Sequence, residues 1–135
     1  MLQSLMQPTA FAQFIVAAFI AVLFLQSGID KVLDFGGNLS WLQGHFAKTP
    51  LRGQVKAMLV TVTVLEVTAG AVCALGALQV AASGSTQLAL WGSQAAAATV
   101  TMLFFGQRVA KDYVGAAVLV PYFILCVGAV LLMAQ

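Results

Sequence analysis

A chain of 135 residues with 61% hydrophobic and 7% charged side chains, and a mean hydropathy of +1.00, does not have the composition of a soluble domain, in which roughly a quarter of residues are charged. A fold this small leaves a large share of its surface facing its solvent, so water is excluded as that solvent and a lipid bilayer is the expected partner. A net charge of +2, without a basic stripe interleaved with aromatics, excludes nucleic acid.

Met1 to Gln7 holds no Lys or Arg, and the apolar run that follows ends in Leu25-Gln26-Ser27-Gly28-Ile29-Asp30 rather than a small-residue cleavage site. The first run therefore reads as a retained helix and not as a secretory signal. A spanning helix needs about 20 mostly apolar residues, and this one extends from about Ala10 to Ile29, entered past Pro8 and Thr9 and ended by Asp30-Lys31. The longest connection, Lys31 to Lys56, carries its own pattern. Gly36-Gly37 predicts a turn, and Ser40 with Gln43 a capping box. Leu39, Leu42 and Phe46 fall at helical spacing, with Trp41 and His45 one turn apart. These predict a short interfacial helix over residues 40–47, at the headgroup level that Trp favours. Thr49-Pro50 reads as the N-cap and first position of the next helix.

The second span is expected over residues 57–82, the third over 88–105 and the fourth over 114–133. Continuous apolar runs without strand-like alternation favour helices over a barrel. The short links Ser83-Gly84-Ser85 and Gly106 to Asp112 favour antiparallel neighbours. The expected architecture is all-α: a membrane-embedded up-down four-helix bundle with a short interfacial helix in the first loop, residues 1–135 forming a single transmembrane domain. With four crossings, Lys31, Lys48, Arg52, Lys56, Arg108 and Lys111, which are every Lys and Arg in the sequence, fall on one side. Lys and Arg near helix ends stay cytoplasmic, so both termini are expected outside the cytoplasm.

Glu66 alone among the charged residues stands away from the basic loops. Ten residues beyond Lys56, it lies about 15 Å along a helix, near the middle of a hydrocarbon core about 30 Å thick. An acid there costs on the order of 2.5–3.5 kcal/mol. It is expected to be uncharged at rest, since desolvation disfavours the ionised form. Two readings stand open: a buried polar residue that ties helices or subunits together, or a group that handles protons, quinone or substrate. The same depth count sets Ile20 and Ala21, Ala98, and Pro121 with Tyr122 at its level. The Tyr122 hydroxyl, the Ala117 carbonyl freed by Pro121, Gln94, Thr101 and Thr63 are its expected polar neighbours.

At the basic end, Asp30, Asp34, Arg108, Lys111 and Asp112 form either an interfacial charge belt or a polar lid, under which Lys31 or His45 could meet a quinone head or an acidic ligand. Gly70-x-x-x-Ala74 and Gly92-x-x-x-Ala96 are small-residue faces suited to helix packing. Cys73 and Cys126 read as small buried hydrophobes. A single His without a second ligand at helical spacing gives no metal site. No phosphate loop, HExxH or Gly-x-Ser-x-Gly occurs, and no covalently bound cofactor or independent catalysis is expected.

The run from Leu23 to Phe35, with Gly28 and Lys31 in a Gly-x-x-Lys segment at the end of the first helix, resembles the DoxX family of small four-helix membrane proteins. Glu66-Val67-Thr68-Ala69-Gly70 is similar to the Glu and small residues on that family's second helix. The third helix departs from it, since Gly106-Gln107-Arg108 stands where many relatives carry a His. The resemblance implies a bacterial cytoplasmic membrane and a multi-subunit, quinone-linked or oxidative-stress assembly. Three roles follow as expectations. The leading one is a non-catalytic accessory subunit of a redox or respiratory membrane complex, packed onto it through the small-residue faces and Glu66. The others are a quinone-binding subunit using Lys31, His45, Tyr122 or Gln94 with Glu66 as proton relay, and a small-solute or proton pathway.

Overall fold

The computed structural model describes residues 5–135; residues 1–4, part of the segment read as retained, lie outside it. Among the described residues the regular structure is helical: α1 (Pro8–Leu33), α2 (Phe35–His45), a 3-10 turn (Arg52–Gln54), α3 (Val55–Ser83), α4 (Gln87–Val109) and α5 (Tyr113–Met133). Helices α1, α3, α4 and α5 are each long and apolar enough to cross a membrane.

Local chemistry sets the ends. Pro8 opens α1 at a position where a missing N–H costs nothing. Gly84, at φ 76, closes α3 in the left-handed conformation that glycine adopts freely. The Asp112 carboxylate accepts a hydrogen bond from Gly115 N at 2.9 Å and caps α5. Hydropathy marks where lipid would end rather than where the helix ends, so α1 continues through Asp30-Lys31 to Leu33 and α4 beyond Phe105 to Val109.

The first loop differs from its expectation. Gly36 and Gly37 are not a turn but the opening turn of α2, which starts at Phe35. Asp34 makes the break, at φ −128 and ψ 52. Gly37 leaves room for the Asp34 carboxylate, which would lie 2.6 Å from a Cβ there. Ser40 is thus inside the helix and caps nothing. Thr49 likewise does not cap α3: its hydroxyl donates to Phe46 O at 2.9 Å and accepts from Leu51 N at 3.2 Å. That closes the end of the α2 segment before the 3-10 turn, and the N-cap of α3 is Gln54.

The four long helices run antiparallel in sequence, with α1 against α3, α3 against α4 and α4 against α5. At the end nearer the termini, Gln13 Nε2 donates to Leu132 O at 3.1 Å and Thr86 Oγ1 to Met133 O at 2.8 Å, joining the start of α1 and of α4 to the end of α5. Ala17, Ala77, Val80, Ala89 and Met133 fill the core there. Ile20, Phe24, Ala69, Cys73, Ala96 and Cys126 fill the layer below.

Small residues bring the backbones together. A Cβ on Gly70 would fall 2.8 Å from Leu25 N, one on Gly92 2.9 Å from Cys73 N, and one on Gly76 2.6 Å from Ala89 Cα. The faces carrying Gly70, Gly92 and Ala96, all buried, and half-buried Ala74, are therefore used inside the chain. The outward faces are apolar: most residues of each span are not buried, and Phe11, Phe19, Leu78, Ile124 and Leu131 are exposed. Water would penalise such a surface and hydrocarbon would not.

Candidate functional site

Side chains on a helix lean toward its N-terminus, so Lys31, in the last turn of α1, points back into the bundle rather than out of its end. Its Nζ donates to Ser27 O at 3.5 Å and to Glu66 Oε2 at 3.2 Å. The side chains are 23% and 3% exposed, respectively. Attraction at this separation is roughly 5 kcal/mol for an effective dielectric of about 20, much of which desolvation offsets. The acid expected to stand alone in the membrane has a cation beside it.

The pairing follows from register. A Cβ on Gly28 would lie 3.1 Å from Val67 N, which sets Glu66 beside the final turns of α1. The depth count aligned it with Ile20 and Ala21, about eight residues or roughly 12 Å away, because it took Asp30-Lys31 as the membrane boundary. On α5 the count fares better, since Tyr122 and Glu66 line one small cavity of about 90 Å³ with Ser27, Phe24, Leu103 and Leu119. The remaining expected neighbours do not reach the acid. The Thr63 hydroxyl donates to Leu59 O and the Thr101 hydroxyl to Ala97 O, each within its own helix. Gln94 and Ala117 lie on exposed faces, and α5 stays helical through Pro121.

On the other side of Leu103 and Leu119 lies a cleft of about 690 Å³ between the basic-end halves of α3 and α4. Met58, Leu59 and Val62 form one wall and Met102, Leu103 and Phe105 the other. Leu42 of α2 and Phe46, the residue that follows that helix, close the basic end. Phe46 is buried, at 5% exposure, against Gly106, where a Cβ would sit 3.6 Å from its ring. Among the described lining residues Lys31 is the single charged one, accompanied by the neutral polar groups of Gln54, Thr61, Thr101 and Gln107. The size and the mostly apolar wall with few polar groups are those of small-molecule sites.

The other sequence candidates gather elsewhere or not at all. His45 stacks on Trp41 with ring centroids 4.6 Å apart. Its Nε2 lies 2.8 Å from Gln107 Oε1, to which it donates, and 3.8 Å from Asp112 Oδ2. It ties α2 to the α4–α5 turn and does not line the cleft. Asp112 joins this cluster, whereas Asp30, Asp34, Arg108 and Lys111 are exposed and none of them lines the cleft. Arg108 lies over the Tyr113 ring at 4.5 Å. Lys111 takes φ 61 at the turn. Cys73 and Cys126 are buried and unbridged.

Sequence reasoning missed Gln107, Ser27 and the Lys31–Glu66 contact. The signal available for the last was the pair of glycines, Gly28 and Gly70, whose close packing fixes how α1 and α3 align. The fold and site thus define an all-α bundle with an apolar exterior, an inner ion pair and an apolar cleft beside it. Neither a protein family's sequence profile nor any curated protein or solved structure matches the chain.

Proposed function

We propose that the chain is a DoxX-like multi-pass subunit of a bacterial cytoplasmic membrane, with its basic loops inside and both termini outside. It serves a larger redox assembly by holding a membrane-soluble apolar ligand, a quinone, in the cleft between α3 and α4. The observation that carries this reading is the cleft itself, mostly apolar and reached by one ammonium group, Lys31. A ring carbonyl can accept from that ammonium while the tail lies along Met58, Val62 and Phe105. Glu66, held by Lys31 and facing Tyr122 across the inner cavity, is the candidate proton group behind the head.

The geometry weakens one support for a purely accessory role, since Gly70, Gly92, Ala96 and Glu66 are engaged within the chain rather than offered to another subunit. It also disfavours a solute pathway, because buried apolar clusters that include Ile20, Val80 and Ala89 lie between the ion pair and the terminal end. In lipid nanodiscs the purified protein should bind a short-tailed quinone saturably, in about the micromolar range. Lys31→Ala should weaken binding about tenfold, the loss of a hydrogen bond to a charged group, and Leu103→Trp should abolish it by filling the cleft. Absence of saturable binding to the unaltered protein overturns the quinone reading and leaves the accessory role.

A further inference from the structure

We propose that this cleft admits amphiphiles with an uncharged, hydrogen-bond-accepting head and rejects anionic ones, because Lys31 arrives there with its charge matched by Glu66 and one hydrogen still to donate. The inference rests on the cleft being a ligand site and specifies the chemistry of its occupant.

An ammonium has three hydrogens. Ser27 O takes one at 3.5 Å and Glu66 Oε2 a second at 3.2 Å. The third is left for the cleft, which Lys31 lines with a side chain that keeps 23% exposure. The pair carries no net charge. An anionic head seated on Nζ would stand within about two hydrogen-bond lengths of the Glu66 carboxylate, in surroundings where like charges repel strongly. No second cation among the described lining residues offsets that repulsion, since Gln54, Thr61, Thr101 and Gln107 are neutral. A ketone, quinone or ester oxygen takes the free hydrogen without adding charge.

The walls indicate the route. Ala57, Thr61, Met102 and Phe105 line the cleft and are exposed, whereas Leu59 at its inner side is buried. Phe46 and Leu42 cover the basic end. The opening is thus on the flank of the bundle, and the ligand enters sideways, head first, with its tail trailing into the surrounding apolar phase.

The test uses two probes with the same sixteen-carbon chain scale, methyl palmitate and hexadecanesulfonate, titrated into the full chain in nanodiscs of uncharged lipid. The expected result is at least tenfold tighter binding of the ester, and Glu66→Gln, which leaves Lys31 as an unmatched cation, should reverse the order. Equal or tighter binding of the sulfonate to the unaltered protein overturns the selectivity while leaving the cleft as a ligand site. Binding of neither probe removes the cleft reading and this inference together. An ester preference that persists in a folded Glu66→Gln protein overturns the role given to the pair. Should that variant not fold, the unaltered protein's preference still decides the selectivity.

Discussion

Lys31 and Glu66 sit in unequal surroundings, and the inequality sets what each substitution does. Lys31→Met leaves an acid of 3% exposure with no cation, so that it must take up a proton or stay uncompensated, and breaking the pair this way costs on the order of 3 kcal/mol. Glu66→Gln leaves an ammonium that can extend along the cleft, so thermal melting in detergent should fall clearly less for Glu66→Gln than for Lys31→Met. A double-mutant cycle should give a coupling on the order of 1 kcal/mol or more; additive losses would mean that the contact contributes nothing. Glu66 was legible in the sequence as the charged residue without a loop to explain it. Its partner was not, because depth along one helix says nothing about how far the neighbouring helix slides past it.

The helices of this chain meet at glycines, and not all glycines are equal. Gly76 and Gly92 face the backbone of the opposing helix, whereas a Cβ on Gly128 would meet nothing within 4 Å among the described residues. Gly76→Ala and Gly92→Ala should each lower stability by about 2 kcal/mol or more through forced separation of α3 from α4, while Gly128→Ala should be neutral or slightly stabilising. Comparable losses at all three positions in a denaturation series would show that the close approach is not what matters. Ser93 offers the opposite case. Its hydroxyl is buried with no partner among the described residues, so Ser93→Ala should leave stability unchanged or raise it by about 1 kcal/mol. Existence and type of the long helices could be read from apolar runs, but the start of α2 could not. Gly36-Gly37 carries the composition of a turn, and Asp34, whose backbone makes the actual break, gives no sign of it in sequence.

At the scale of the whole chain, the layout of four long apolar helices was legible because it follows from hydropathy alone. The cleft was not, since it comes from where α3 and α4 fail to meet, and that depends on Phe46 returning from the first loop to Gly106. The proposed orientation has a direct check. In intact cells a cysteine at Lys48 should resist an impermeant maleimide until the membrane is opened, while one at Ser85 should label from outside. Native Cys73 and Cys126, both fully buried, should stay silent. The reverse pattern would invert the topology.

Glycine contacts clamp α3 to α4 near one end, and the gap between them lies toward the other. In a bilayer, such a peg-shaped molecule presents its opening to a single monolayer. A compound dissolved in the opposite monolayer would have to flip across before it could enter, so occupancy would follow the make-up of one leaf of the membrane and not the total amount present.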